Sequence, residues 1–280
     1  MAVDFQLLKE ICTIPGAPGF EKLIRERVIT EVKPFVDELS VDNMGNVHAV
    51  KKGTKDKCVM VASHMDEIGF IVTHIDDKGF VRFHTLGGFD PKTLTAQRVL
   101  IHGKQDVIGV MASKPIHVMS PDERNKVAKL SDYFIDTGLP VDEVKALISV
   151  GDSITREREI IEMGQCVNGK SLDNRLAVYI SIEVLKRLKD QTIPYDLHMV
   201  FTVQEEVGLR GANVAALKVQ PDFGFGLDTT IAYDLPGAAA HEKITELGQG
   251  TAIKIMDSST ICDYRMVDFM KQVANDNAIK

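Results

Sequence analysis

Several side chains that can bind metal ions or move protons follow strand-like segments of the sequence. Three such segments are residues 59–62 before His64, residues 197–204 before Glu205 and Glu206, and residues 223–227 before Asp228. A fourth acid, Asp173, begins an amphipathic segment. In open α/β sheets, the ligand crevice lies beyond the carboxyl ends of the strands. We therefore predict that three strands deliver these side chains to one rim of a sheet.

Each of these side chains also has an ordinary structural explanation when it is taken alone. A single histidine after a strand is usually an edge residue with satisfied hydrogen bonds. Asp173 would serve as an acid at a helix N-terminus, and Glu205 with Glu206 would be a solvated strand end. Their recurrence after separate strands favours a shared site, because chance seldom places all the acids at one end of a sheet.

These residue types suit a site for two divalent metal ions. Two such ions about 3.5–4 Å apart need a carboxylate between them to offset their mutual repulsion. Imidazole and carboxylate bind zinc, cobalt or manganese, whereas a structural zinc site would require a cysteine cluster. Asp66, two residues after His64, is placed to hold the other imidazole nitrogen. One of the paired glutamates can bind metal while its neighbour acts as a general base.

The segments around these residues have α/β character at both ends of the chain. Residues 4–13 and 20–33 carry apolar side chains at helical spacing, and the run at 58–62 predicts a buried strand. Residues 172–189 predict a helix whose apolar side consists of Leu176, Ile180, Val184, Leu185 and Leu188. Residues 69–165 differ, because short β-like runs alternate with Gly and Asp turns, which is typical of a small β-barrel.

Composition argues against some classes of partner. The net charge of −7, with 44% hydrophobic and 26% charged residues, is ordinary for a globular protein and argues against nucleic-acid or membrane-surface binding. No apolar run approaches the roughly 20 residues that span a bilayer. Because residues 1–10 lack a signal-peptide pattern and the cysteines are scattered, we expect a cytoplasmic protein with reduced, buried thiols.

Four motifs together resemble those of the TET-type metallo-aminopeptidases, the family of glutamyl and deblocking aminopeptidases, some of whose members are labelled endoglucanases. The motifs are His64-Met-Asp66-Glu-Ile-Gly69, Leu172-Asp173-Asn-Arg175, the stretch QEEVGLRGA at 204–212, and Leu227-Asp228. Weaker landmarks occur in the expected order at 15–19, 87–88, 115–117 and 247–250. The resemblance covers nearly the whole chain, and the 204–212 stretch is its most specific part.

The resemblance implies an α/β fold with a mixed central sheet flanked by helices, of the zinc-peptidase type, and an inserted PDZ-like β-barrel. Residues 1–68 and 166–280 would form the catalytic domain, and residues 69–165 the inserted domain. Such enzymes take peptides as substrates. They also assemble into dimers through the β domain, and often into tetrahedral dodecamers.

Carried over by motif position, the resemblance assigns a role to each candidate residue. His64 and Asp228 would hold one metal ion, Glu206 the other, and Asp173 would bridge the pair. Zinc is the expected metal, with cobalt or manganese as alternatives. Glu205 would take a proton from the attacking water and pass it to the leaving amine, and Asp66 would orient His64.

One departure from the family pattern concerns the end of the sequence. Members usually continue for several dozen residues past the point that matches Lys280, through a Gly-Gly-Thr-Asp-like stretch and a late histidine ligand. We expect this C-terminal part of the catalytic domain to be missing here. Without it, the metal held by Glu206 lacks a ligand, and no other histidine has a motif reason to replace it.

Other functions are compatible with these residues. A carboxypeptidase, dipeptidase or deacylase would share the ligand set and recognise a substrate carboxylate through an arginine such as Arg175 or Arg210. A glycosidase would use a metal-free pair of acids. A non-catalytic alternative is an inactive, truncated assembly subunit. We expect a metal-dependent aminopeptidase.

Overall fold

The structure of the protein is a computed structural model that describes residues 3–280. This part of the chain begins with two helices and three strands. They are α1 (Phe5–Thr13), α2 (Lys22–Val32), β1 (Glu38–Val41), β2 (Val47–Lys51) and β3 (Gly53–His64). Helix α1 begins where the Asp4 side chain accepts a hydrogen bond from the Leu7 backbone N–H, which caps the first turn. Strand β3 ends at His64, so the strand delivers the predicted ligand at its carboxyl end.

Six antiparallel strands from Gly69 onward close into a barrel. The elements of this segment are β4 (Gly69–Ile75), β5 (Val81–Leu86), β6 (Arg98–His102), β7 (Asp106–Ala112), α3 (Pro121–Arg124), β8 (Phe134–Asp136), α4 (Val141–Leu147) and β9 (Ser153–Arg156). The strand order is β4-β5-β8-β7-β6-β9. Strand β7 alternates buried and exposed side chains because one face lines the barrel interior. The predicted β-barrel is confirmed.

The chain then returns to the first sheet. The elements are β10 (Ile161–Met163), β11 (Cys166–Asn168), α5 (Leu172–Leu188), β12 (Ile193–Thr202), α6 (Arg210–Val219) and β13 (Phe223–Gly226). Short 3-10 helices lie at Lys33–Phe35, Pro91–Thr93, Ile116–Val118 and Leu130–Asp132. Strands β10 and β11 form a separate antiparallel pair. The element order confirms a predicted α/β fold that is interrupted by a β-barrel.

The main sheet is mixed and has the order β1-β2-β12-β3-β13. Strand β12 runs parallel to β3, with Thr202 opposite His64, and β13 runs parallel to β3 on its other side, with Gly226 opposite Ala62. Strands β1 and β2 are antiparallel to their neighbours. The carboxyl ends of β3, β12 and β13 therefore lie at the same edge of the sheet.

The sheet and the barrel each pack around a hydrophobic core of their own. The first contains Ile11, Val28, Ile182 and Phe201, and the second contains Phe70, Ile101 and other barrel residues. The boundaries 1–68, 69–165 and 166–280 stay a prediction.

The predicted apolar side of α5 is partly wrong. Ile180 is 38% exposed, whereas Val178, Ser181 and Ile182 are buried together with Leu185. The sequence pattern misplaced the face because the smaller side chains at 177, 178 and 181 lie toward the sheet. A wide apolar stripe leaves several such rotations possible, and only packing selects one.

Residues Thr230–Lys280 form a compact unit of their own, apart from the one that ends at Thr229. Helix α7 (Tyr264–Asp276) begins where the Asp263 side chain accepts a hydrogen bond from the Arg265 backbone N–H. An isolated bridge between Met256 and Ile261 precedes the helix, and the remainder consists of turns and irregular segments.

No helix within residues 3–280 is both long and apolar enough to cross a membrane. The four cysteines are free thiols. The expectation that they are buried holds for Cys12 and is wrong for Cys166, which lies exposed on β11.

Candidate metal centre

The structure brings all six predicted site residues to the carboxyl edge of the sheet. His64 ends β3, Asp66 follows it, Glu205 and Glu206 lie in the loop after β12, Asp228 follows β13, and Asp173 lies in the first turn of α5. The parallel register of the three strands is the reason for this convergence, because it aligns the strand ends beside one another.

His64 lies at the centre of two groups of potential ligands. One group contains His64, Glu205 and Asp228, the other contains His64, Asp173 and Glu206, and the ligand atoms in each group lie within 4.8 Å of one another. The imidazole Nε2 is 3.1 Å from Asp173 Oδ1 and 3.8 Å from Glu205 Oε2. His64 is 3% exposed, whereas the Asp173 side chain is 64% exposed. The imidazole is thus buried within the protein, while the acids of the two groups are half-buried or exposed.

Asp66 connects the two halves of this arrangement. Its fully buried carboxylate accepts hydrogen bonds from the backbone N–H groups of Glu205, at 3.0 Å, and Glu206, at 3.1 Å. The same carboxylate lies 3.4 Å from His64 Nδ1, and the Asp66 backbone oxygen lies 3.1 Å from that nitrogen. Asp66 therefore lies beside His64, as its spacing predicted, and also holds the loop that carries Glu205 and Glu206. The second contact was not predicted from the sequence.

Two further buried side chains hold the same loop, and sequence reasoning missed both. Glu21 accepts a hydrogen bond from the Gln204 backbone N–H at 3.2 Å. Asn46 accepts one from the Val203 N–H at 3.0 Å and donates one to the Gly211 carbonyl at 3.0 Å. Both residues lie far from the Glu205 loop in the sequence, at separations of 183 and 157 positions in these contacts. No local sequence pattern therefore predicts them.

The acids and the histidine strongly perturb one another. Burial alone lowers the pKa of His64, but the carboxylates of Asp173 and Asp66 outweigh it and raise that pKa to about 10. Burial, followed by the charge of Asp173, raises the pKa of Glu206 to about 7. Burial also raises the pKa of Glu205, against the nearby His64. The acids at this edge of the sheet outnumber His64, so their negative charge exceeds the positive charge that this histidine can supply.

This donor set fits divalent metal ions. Imidazole and carboxylate are the ligands that zinc, cobalt and manganese accept, and no cysteine belongs to either group in the part of the chain that the structure describes. A bound cation would stabilise the ionised carboxylates and displace the proton from His64, because metal-ligating imidazole is neutral.

A cavity of about 330 Å³ lies beside the metal-binding groups. Its lining consists of Ile68, Gly88, Arg156, Gly169, Ser171, Leu172, Asp173 and Glu206. Arg156 ends barrel strand β9 and lies over the Phe89 ring at 5.8 Å. Its Nε is buried and has no hydrogen-bond partner within residues 3–280. Arg156 is thus a third functional candidate that sequence reasoning missed, after Glu21 and Asn46.

Comparison with known proteins identifies the family. Residues 45–280 match the sequence profile of the M42 glutamyl aminopeptidases. The chain belongs to the M42 glutamyl aminopeptidase family. Within it, a candidate aminopeptidase of Acetivibrio thermocellus is 40% identical over 276 residues, which cover 98% of this chain and 80% of that protein. The resemblance stated from the motifs is confirmed.

Solved structures of the same type superimpose closely. The TET aminopeptidase from Thaumarchaeota archaeon SCGC AB-539-E09 is 36% identical with a TM-score of 0.94, over 98% of this chain and 79% of that one. The TET1 peptidase of Pyrococcus horikoshii is 30% identical with a TM-score of 0.86, over 98% and 82%. It can assemble into a tetrahedron or a large octahedral shell. Membership of the M42 family makes this chain a hydrolase of the aminopeptidase class.

Gly87 provides a test of the Glu206 position. Its φ is +93°, and an added Cβ would lie 2.6 Å from Ile68 Cγ2 and 3.3 Å from Glu206 Oε2. We expect Gly87→Ala to cost about 1–2 kcal/mol of stability, to displace Glu206 and to weaken metal binding. Bound zinc after dialysis at fixed free zinc, together with Tm, measures both effects.

Gly88→Ala is the matched control, because a Cβ at Gly88 would meet no atom within 4 Å. Equal zinc retention by the two variants would contradict the idea that Gly87 leaves room for Glu206.

Proposed function

We propose that this chain removes N-terminal residues from peptides by means of two divalent metal ions. The observation that carries the proposal is the convergence of two ligand groups on His64 within 4.8 Å, at the carboxyl edge of the sheet. Membership of the M42 family supports the reaction. Zinc is the metal that we propose, and the donor set also suits cobalt or manganese.

We assign His64 and Asp228 to one ion, Glu206 to the other, and Asp173 to a position between them. Asp173 Oδ1 lies 3.1 Å from His64 Nε2 and belongs to the same group as Glu206, which supports a bridging position. When bound, such ions polarise a scissile carbonyl and lower the pKa of water. The protein contributes the fixed imidazole and the carboxylates that hold the ions in place.

Glu205 is our candidate for the general base. Its carboxylate lies 3.8 Å from His64 Nε2, and its raised pKa suits a group that must accept a proton from water and return it to the leaving amine. Its membership of the group with Asp228 also makes it a possible ligand. The two roles can be separated with Glu205→Gln. This variant keeps its metal if Glu205 is the general base and loses metal if Glu205 is a ligand.

We further propose that this chain self-associates, first as a dimer and then in a larger assembly up to a dodecamer. Strand β7 and the segment after it expose Ile108, Val110, Ile116 and Val118 on the barrel, and apolar surface of this kind marks interaction sites. The barrel, residues 69–165, is therefore the proposed dimer-forming domain. The cytoplasmic location stays a prediction.

The first prediction for this function concerns Glu205. We expect Glu205→Gln to lower kcat on Leu-, Glu- and Lys-p-nitroanilide by about 10²–10⁴-fold while metal content is unchanged, because general-base catalysis contributes that much. Turnover and metal analysis on the same samples check it. Glu162→Gln, on the exposed β10 strand, is the control.

Rapid turnover by Glu205→Gln would rule out the proposed base. Loss of one equivalent of metal would instead assign Glu205 as a ligand, and wild-type protein without bound metal would refute the whole site.

A second prediction separates aminopeptidase from the other two-metal hydrolases and from a glycosidase. Chelation is expected to abolish hydrolysis of aminoacyl-p-nitroanilides, and zinc or cobalt to restore it, while N-acylated substrates remain uncleaved. Hydrolysis of N-acylated substrates would favour a deacylase or carboxypeptidase. Activity that survives chelation would favour metal-free acid chemistry.

A third prediction concerns Arg156, the cationic residue of the cavity beside Glu206. Because it is the positively charged side chain on that lining, we expect it to pair with an acidic first side chain of the peptide. Arg156→Met should lower the ratio of kcat/KM for Glu- over Gln-p-nitroanilide by about tenfold, or about 1.4 kcal/mol. Arg158→Met is the control. An equal loss on both substrates would show that Arg156 acts on a part that all substrates share.

A further inference from the structure

We propose that the buried ion pair between Glu67 and Lys170 is a positioning pair that fixes Asp173 relative to His64. The inference rests on the proposed function, in which Asp173 and His64 are metal ligands. Neither Glu67 nor Lys170 belongs to the ligand groups themselves.

Glu67 is the hub of a buried hydrogen-bond cluster. Lys170 Nζ lies 2.7 Å from one carboxylate oxygen of Glu67 and 2.9 Å from the other. The Gly16 backbone N–H donates to the same carboxylate at 3.2 Å, and the Ser171 hydroxyl donates to it as well. The side chains of Glu67 and Lys170 are 2% and 4% exposed, so water screens the pair very little.

The pair joins the two chain segments that carry the proposed ligands. Glu67 lies three residues after His64, and Lys170 lies three residues before Asp173. Ser171, which also donates to Glu67, has φ of +61° and directly precedes helix α5. The direction in which the chain enters α5, and hence the place of Asp173, is therefore tied to the loop that begins at His64.

A second tie holds the other side of Asp173. The fully buried Arg175 donates from Nε to the Met65 backbone oxygen, and from Nη1 to the carbonyls of Ile11, at 2.6 Å, and Ile14, at 2.9 Å. Lys170 and Arg175 thus hold the chain on both sides of Asp173, and each binds a residue of the segment from His64 to Glu67. The 3.1 Å separation between His64 Nε2 and Asp173 Oδ1 is the geometry that these contacts hold.

Stability alone gives little reason for a buried ion pair. Desolvation of two charges offsets most of their attraction, and a well-packed apolar pair often stabilises a fold equally well. The use of such a pair is to specify one arrangement of the segments that it joins. A dinuclear site needs that specificity, because small displacements of a ligand weaken metal binding.

The competing explanation is that Glu67 and Lys170 affect cation binding only through their charges. The two explanations predict opposite effects on cation binding when the Lys170 charge is removed. Removing the Lys170 charge would strengthen cation binding, whereas removing the Glu67 charge would weaken it. A positioning pair behaves differently, because loss of either partner frees the segment that carries Asp173, and both changes weaken binding.

The experiment uses metal-free full-length protein and Co²⁺ as the probe. Lys170→Met and Glu67→Gln are titrated with Co²⁺ while the visible d–d spectrum is recorded, and the Tm of the metal-free form is measured alongside. We expect both variants to bind Co²⁺ at least tenfold more weakly than wild type and with an altered spectrum. Their kcat/KM should fall as well.

Lys51→Met is the matched control, since Lys51 is also a buried lysine and donates from Nζ to the Lys189 carbonyl at 2.9 Å, outside the site. It should keep the wild-type Co²⁺ affinity and spectrum, even if its Tm falls as far. This control separates loss of positioning from general loss of stability.

Equal or tighter Co²⁺ binding by Lys170→Met, with the wild-type spectrum, would overturn the proposal. If Lys170→Met does not fold, Glu67→Gln decides, and a wild-type Co²⁺ spectrum in that variant would overturn the proposal equally. Wild-type protein that binds no Co²⁺ would refute the proposed function itself, which is a distinct result.

Discussion

Parallel pairing of β12 and β13 with β3 is the constraint on which the site depends. Thr202 lies opposite His64 and Gly226 opposite Ala62, so the loops that follow all three strands begin at the same edge. A slip of one residue in either pair would turn alternate side chains to the other face and move the acids away from the imidazole. The buried side chains that hold the loop after β12 protect this alignment, and Asp66 is the most central of them because it holds Glu205 and Glu206 together.

Concentrating carboxylates in one place opposes folding, and the structure manages that repulsion in two ways. Asp66 accepts hydrogen bonds from two backbone N–H groups, which stabilise its negative charge, and it also lies beside the His64 imidazole. The charge of Glu67 is balanced by the buried Lys170. The charges of Glu205 and Glu206 are opposed by the nearby His64, but burial and the neighbouring acids still raise the pKa of both groups. A bound cation would stabilise both acids in their ionised form.

The alternation of apolar runs and the family resemblance were sufficient to predict the fold class. The residues at strand ends and at the start of one helix were sufficient to predict that His64, Asp173, Glu205, Glu206 and Asp228 lie together. Strand ends are readable from a sequence because apolar runs stop there. The supporting contacts of Glu21 and Asn46 were not readable, because each joins segments more than 150 positions apart. The buried face of α5 was misassigned at Ile180, since periodicity indicates that a helix is amphipathic but only weakly which way it rotates.

The ion pair between Glu67 and Lys170 joins positions 103 residues apart, and the whole barrel lies between them. In an unfolded chain, closing a loop of that length carries a large entropic cost. A folded barrel has already brought its first strand, β4, beside its last, β9, so the open loop that remains is short. Loop-closure entropy therefore favours an order in which the barrel forms before Glu67 pairs with Lys170 and before His64 and Asp173 are held together.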